Sequence, residues 1–535
     1  MLFSCSTSNR YENEVIFRFN IPEGVSSLDP AFASNLGNIS ATNQLFNGLV
    51  QMDENLNIKP CIAKSWERLD SNKTYRFYLR DDVYFHENEV FGESKKRKVK
   101  AQDFVYSFNR LIQSDLMAPG KWVFNNVLRL AEEKLAITAI NDTILEIKLK
   151  EAFSPFLGIL SMQYCAVVPQ EAIDYYGDKF RSNPVGTGPF KFQYWKENTK
   201  LVLLKNPHYF EKDERGVALP RLDALSISFI KDQEVAFLLF LKGDLDYLSG
   251  LKGSYKDELL NSRGELREKY QNQIKLITSP YLNTEYLGFL LDSNASVSRN
   301  NPLLNKDLRL AINYGFDRVK MLKYLRNGIG EAASSGFVPK GLPSFNAEKL
   351  VGYSYQPELA KKYLIDAGYP EGKNLETIVI STTAEYLDIC EYMQHQLGEL
   401  GIKIQIDVNP PATNNELVAN AQLRFFRKSW VADYPDAENY LSLFKTSNFS
   451  PSGPNYTHYS NEKYDALYAQ TMALTNDSLR NIYYLKLDSM IVADAPIVPL
   501  FYDQVVRFIP NYVSEIGVNP MNLLELKHAV KELQN

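Results

Sequence analysis

No stretch of this 535-residue chain approaches the roughly 18 consecutive apolar residues that a membrane-spanning helix needs. An excess of positive charge is missing too. Lys and Arg number 59 against 64 Asp and Glu, a formal net charge of −5, whereas a nucleic-acid binder needs a basic face. Histidine is scarce, with five residues, and cysteine scarcer, with four. Cys61, Cys165 and Cys390 stand far apart, with no C-x-x-C or Cys/His spacing of the kind that holds zinc. Buried free thiols are the expected state. Catalytic signatures are missing as well. There is no G-x-S-x-G, and His86-Glu87 lacks the second histidine of H-E-x-x-H. No phosphate-binding G-x-x-x-x-G-K-S/T occurs, and Gly186-Thr187-Gly188 lacks the third glycine of a dinucleotide loop. Neither an internal repeat nor a low-complexity tract is present. These absences leave no constellation for an enzyme and call for no metal or cofactor.

What remains is globular. Hydrophobic residues make up 45% and charged residues 23%. At roughly 150 residues per domain, the length predicts about three or four units. Aromatic content is 13%, with 33 Tyr and 30 Phe. Most of these rings belong in β-rich cores, although tyrosine, apolar in its body and polar at its tip, also suits a wet cleft.

Periodicity places several elements. Residues 73–79 alternate Tyr75, Phe77 and Leu79 on one strand face, and 137–149 read as a hairpin turning at Asn141-Asp142. Residues 201–204 and 225–229 are further strands. Helices are predicted at 101–112, at 305–327 as one element, at 357–367 and at 388–400, the last two stopping at Gly368 and Gly401. This mixture of hairpins and αβ units indicates α/β or α+β domains. The one strong charge run, Lys95-Lys96-Arg97-Lys98, reads as a solvated hairpin tip.

One segment concentrates chemistry. Trp430-Val431-Ala432-Asp433-Tyr434-Pro435-Asp436-Ala437-Glu438-Asn439-Tyr440 sets an indole, a carboxylate and a phenol beside a proline. Proline biases Tyr434 toward extended geometry, which puts Asp433 at the end of an extended run. Such a cluster suits a small cationic group. Asp436 is the better placed of the two aspartates to cap a helix over 437–444.

The same segment resembles the W-x-x-D-Y-x-D/E stretch of family 5 extracytoplasmic solute-binding proteins, which serve peptide ABC importers. Other blocks follow in that family's order: Leu28-Asp29-Pro30, the stretch from Ile58 to Trp66, Tyr75 to His86, Val99 to Phe108, Pro184-Val185-Gly186-Thr187-Gly188-Pro189-Phe190, Asn206-Pro207-His208-Tyr209-Phe210, Lys306 to Ile312, and Ala367-Gly368-Tyr369. The chain departs from the pattern near Asn88, where the family has a glycine and this chain an insertion, and at Ala437, where proline is frequent. Near the start, Leu2-Phe3-Ser4-Cys5 resembles the end of a bacterial lipoprotein signal, without the basic and apolar regions that precede one. The expectation is a truncated signal with Cys5 lipidated, and then at most one disulfide among the remaining cysteines.

The resemblance implies an α/β, two-lobed periplasmic-binding-protein-like fold (type II, cluster C) with an appended subdomain on lobe one. Expected boundaries are 1–9 for the tether; 10–52, 185–278 and 498–535 for lobe one; 53–184 for the subdomain; and 279–497 for lobe two. The chain would then cross a hinge near Thr278 and near Val498. In the family the first aspartate of the stretch, here Asp433, meets the α-ammonium of a bound peptide. Trp430 and Tyr434 would line side-chain pockets. Arg427 stands where some relatives place the cation for the peptide carboxylate, with Arg424 as a spare, and Tyr286 falls near a strand bordering the ligand. The implied partners are a short peptide and an ABC importer permease, with no nucleic acid, contact with a membrane only through a lipid, and a monomeric state. Relatives that bind nickel chelates, sugars, haem or opines supply the alternative within the family, and a chaperone-like binder of unfolded chains the alternative outside it.

Overall fold

The computed structural model describes residues 14–250 and 255–533. Cys5 and the expected tether lie outside them. Three sheets organise the chain. The first is four-stranded, in the order Ile16–Asn20, Ala224–Ser228, Lys200–Lys205, Phe190–Lys196. Its first pair is parallel and the others antiparallel. Phe17, Phe19, Leu201, Leu203, Leu225 and Ile227 alternate into one core and are all buried. A second four-stranded sheet, Ala63–Leu69, Thr74–Leu79, Ile144–Lys148, Ile137–Asn141, is fully antiparallel and carries the helix Ala101–Leu111 against it. Tyr75, Phe77, Leu145 and Ile147 are its buried face, as the alternation predicts. Both sheets feed one hydrophobic cluster.

The third sheet has seven strands. Its centre is a pair of long antiparallel strands, Ile274–Phe289 and Ile497–Pro510. Phe425–Val431 runs antiparallel to the first of these and parallel to Ile378–Thr382, which pairs in parallel with Ile404–Val408. The helix Leu387–Gly398 packs against this parallel part, in a separate core around Leu287, Phe289, Met393 and Phe425. On the other face a third cluster gathers Tyr286, Phe337, Tyr440 and Tyr464. Within this pair Thr278 faces Val506 and Val498 faces Leu287. The ladder breaks its register between Pro280 and Thr284, and again between Glu285 and Tyr286.

Two local expectations need correction. The helix over 305–327 is two helices, Lys306–Tyr314 and Arg318–Leu325. The chain turns at Gly315, where a Cβ would come within 2.8 Å of Ala311 O, and Asp317 caps the second helix by accepting the Lys320 N–H. In the basic run, Lys95 and Lys96 are solvated, but Arg97 reaches back to the buried Asp103 and to Glu171. Cys61, Cys165 and Cys390 are buried and unpaired. No described helix is long and apolar enough to cross a membrane.

Candidate functional site

Asp433 lies two residues beyond the strand Phe425–Val431, where the chain leaves the third sheet for the short helix Glu438–Leu441. Asn439, in that helix, fixes the corner. Its amide oxygen accepts from the Trp430 indole N–H at 2.8 Å and from the Asp433 backbone N–H at 3.2 Å, while its Nδ2 donates to the Asp433 carboxylate at 3.3 Å. Asp436 makes the turn into the helix, its carboxylate accepting the Glu438 N–H at 2.9 Å. The Asp433 side chain is exposed on one side and crowded on the others. Desolvation raises its pKa, and the Asn439 hydrogen bond opposes this only in part. Among the described residues no Lys, Arg or His lies within ion-pair distance of it. Tyr164, Tyr440 and Tyr456 surround it closely enough for its charge to add to their own burial in raising their pKa values, Tyr164 to about 12. Tyr164 belongs to the segment 53–184 and the other two to 279–497, so the carboxylate stands where these parts of the chain meet.

The other expected site residues sit as follows. Trp430 is half-buried on the third cluster with its indole N–H on Asn439. Tyr434 is buried; its hydroxyl donates to Glu438, and its ring lies 6.2 Å from that of Trp122. Pro435 rests over Gly158, whose missing Cβ would touch it at 3.4 Å. The loop after Asp433 thus packs on the chain's early part. Arg427 pairs with the buried Glu285 on the neighbouring strand and lies over the ring of Tyr386. Arg424 is engaged at the surface with Glu376 and with the Arg299 carbonyl. Tyr286 is buried in the core, edge-on to Phe337.

Sequence reasoning missed several residues here. Asn439 positions both Trp430 and Asp433, yet an asparagine in a helix gives no signal of its own. Glu438, buried and with no ion pair among the described residues, accepts from Tyr434 and Tyr468 and is raised to about 7 by desolvation. Lys428 has no carboxylate partner among the described residues. It donates to Asn415 at 2.7 Å above the Tyr456 ring, and burial lowers its pKa to about 8.

A cavity of about 400 Å³ opens between the first and third sheets. Phe19 and Ile21 line it on one side, Tyr281, Asn283, Glu285 and Asp503 on the other. Two of its carboxylates are compensated: Glu285 by Arg427, and Asp503 by Arg326 at 2.5 Å. Asn283 bridges Glu285 and Asp503, at 3.0 and 3.4 Å. Among the described residues no group of His, Cys, Asp and Glu could hold a metal ion.

The mixed sheets, with a cavity between the first and the third, are those of a two-lobed α/β solute-binding protein. The chain belongs to the bacterial extracellular solute-binding proteins of family 5, whose middle-region model matches residues 57–452. This family supplies the binding components of ABC transporters. The chain is 25% identical over 477 residues to heme-binding protein A of Haemophilus influenzae, covering 86% of this chain and 82% of that protein. It is 24% identical over 489 residues to the glutathione-binding protein GsiB of Escherichia coli K12, covering 90% and 88%. The solved structure of the periplasmic binding protein DppA from Helicobacter pylori, in complex with the peptide STSA, superposes with a TM-score of 0.76 at 24% identity, covering 97% of this chain and 98% of that one. Both the family and the fold are those of binding proteins.

Proposed function

We propose that this protein captures short peptides in the cleft between its lobes and hands them to the permease of an ABC importer, with Asp433 receiving the ligand's α-ammonium. One observation carries the reading: a crowded, desolvated carboxylate, exposed on one side, has no cation within ion-pair distance among the described residues. A ligand ammonium would supply the missing charge, and a charge-assisted pair out of bulk water is stronger than one at a surface. Tyr164, Tyr440 and Tyr456 surround it without dictating one side chain. Two relatives support the class of ligand, since one is named for glutathione and another was solved with a peptide. Arg427 is committed to Glu285, so the reading gives the ligand carboxylate to another group. Lobe one is taken as 10–52, 185–278 and 498–535, with 53–184 appended, and lobe two as 279–497. The connecting strands are taken to flex at the register break between Pro280 and Thr284. A lipid on Cys5 would hold the monomer at the cell surface, near its permease.

Native mass spectrometry of the protein as purified, with sequencing of anything released, tests the ligand class. Di-, tri- and tetrapeptides are then titrated against the wild type and Asp433→Ala. Removing one partner of a desolvated charge pair costs about 2–5 kcal/mol, a loss of at least roughly 30-fold in affinity. Equal affinity in the two proteins would remove Asp433 from the site, and a single non-peptide mass would replace the peptide.

A further inference from the structure

A second, smaller cavity of about 80 Å³ lies beside the Asp433 corner. Its walls come from the helix Leu36–Leu45 and the chain after it, from residues 161–163 and from residues 523–527. It adjoins the site on two counts. Gln163 lines it, and the next residue, Tyr164, feels the Asp433 charge. Met52 lines it too and packs in the same cluster as Ala432. At roughly 10–15 Å³ of such space per water, it has room for a short file of waters or a slim side chain.

Asn43 presents an amide with both donors and an acceptor, and three other polar groups on the walls present acceptors. Gln44 spends its amide N–H₂ on the Ser40 and Leu524 carbonyls, at 3.2 and 2.6 Å. Gln163 spends its own on the Ala33 carbonyl at 2.9 Å. Those carbonyls fix the amide orientation, since a flip would set oxygen against oxygen. Both side-chain oxygens are left without a donor among the described residues. Ser161 donates its hydroxyl hydrogen to the Gly158 carbonyl at 2.6 Å, which leaves its oxygen lone pairs. Lys527, the one cation on the wall, already donates to Gln51 at 2.6 Å and to Glu211 at 2.8 Å. Glu525 has neither a hydrogen bond nor an ion pair with any described residue, and burial raises its pKa. Lys527 and Arg507 lower that pKa, and Glu211 and Glu54 raise it. The cavity therefore offers acceptors and a carboxylate with no hydrogen bond or ion pair among the described residues, and has Phe46, Val50, Met52 and Met162 for an apolar stem.

We infer that this cavity is a subsite for an ammonium-bearing side chain of the ligand, with Glu525 as its counter-charge. The inference rests on the reading of Asp433 as the α-ammonium site. On that reading a side chain next to the anchored ammonium is the one that would enter the cavity, and a lysine-like stem and head match its lining.

The test is calorimetry on the full chain with Ala-Ala-Ala and, at each position in turn, a lysyl and a norleucyl replacement. At one position the lysyl peptide should bind at least about tenfold tighter than the norleucyl one, as a desolvated charge pair requires. Glu525→Gln should bring that ratio to within about twofold of unity and leave Ala-Ala-Ala within about twofold of wild type. The inference is overturned if no position of the wild type prefers lysine, a result that needs no variant, or if the preference survives Glu525→Gln. If no peptide of any length binds the wild type, the peptide reading fails first and this one falls with it.

Discussion

At the residue scale, Arg427 is a paired charge and Asp433 one with no ion pair among the described residues. Arg427 and Glu285 are both buried, and one compensates the other. Arg427→Ala should therefore strand Glu285 and cost about 3–5 kcal/mol of stability, measured by urea unfolding. Arg427→Met with Glu285→Gln should recover most of that loss. An Arg427→Ala protein of wild-type stability that had lost peptide affinity would show the opposite role. Asp433 should reveal itself through protons. Desolvation holds its pKa above the ordinary carboxylate range in the empty cleft, and an arriving ammonium lowers it. Between the bound and free values, binding expels a proton, so affinity falls as the pH drops through that window. Calorimetry in buffers of different ionisation enthalpy should detect that release in the wild type; Asp433→Asn should show none. Asp433 was legible in the sequence because an indole, a carboxylate and a proline stand together in it. The Arg427–Glu285 pair was not, since the partners are 142 positions apart and meet only through strand register. Asn439 escaped for another reason: its importance lies in which three groups it joins.

Periodic elements with one face in water were readable, and buried ones were not. Thr74–Leu79 and the Ile137–Asn141 hairpin alternate because one face is solvated. The central strand Ile274–Phe289 ends in eight consecutive buried residues, covered on both faces, and its buried Asn283, Thr284 and Glu285 break any apolar run. The split of 305–327 turned on a single glycine and a capping aspartate inside an otherwise helical pattern. The block from Pro184 to Phe190, which carried the family resemblance as a string of letters, acquires a physical cause at this scale. Neither Gly186 nor Gly188 has a positive φ; what they supply is space. A Cβ on Gly186 would stand 2.0 Å from Leu45 O, and one on Gly188 2.4 Å from Leu45 C. His86 clamps the loop from the other side, its backbone N–H on Gly186 O at 2.7 Å, its Nδ1 accepting the Gly186 N–H at 3.3 Å and its Nε2–H on Gly188 O at 3.0 Å. Desolvation lowers the His86 pKa to about 4, so the neutral ring fills this role at pH 7. Gly186→Ala should cost at least about 2 kcal/mol in chemical unfolding, because the obstacle is backbone and cannot rotate away. A variant within about 0.5 kcal/mol of wild type would mean that the helix end moves freely.

At the scale of the whole molecule, binding must be converted into a shape the permease can read. Ligand contacts alone shift nothing; the closed arrangement must gain more from the ligand than the open one. Moving a population from about 1:99 to 99:1 takes about 5.5 kcal/mol of differential affinity, and a micromolar complex has about 8 kcal/mol in all. Most of the ligand's interaction must then be made with both lobes at once. On the proposed reading the Asp433 corner would provide that. The carboxylate comes from the chain that follows the third sheet, Tyr164 from 53–184, and Tyr434 and Pro435 pack on Trp122 and Gly158. The strands that join the lobes are paired along most of their length, so the motion should concentrate at their weakest stretch. That stretch is the break between Pro280 and Thr284, opposite residues 502–504, where the ladder loses its register. A saturating peptide should lower the radius of gyration seen by small-angle X-ray scattering and slow amide exchange at 281–283, while Asp433→Ala at the same peptide concentration keeps the wild-type unliganded values. A protein that binds peptide with full affinity and leaves its scattering curve unchanged would have no closure to report. Slowed exchange at other positions along these strands, together with a smaller radius, would move the hinge away from the break and leave the capture mechanism standing.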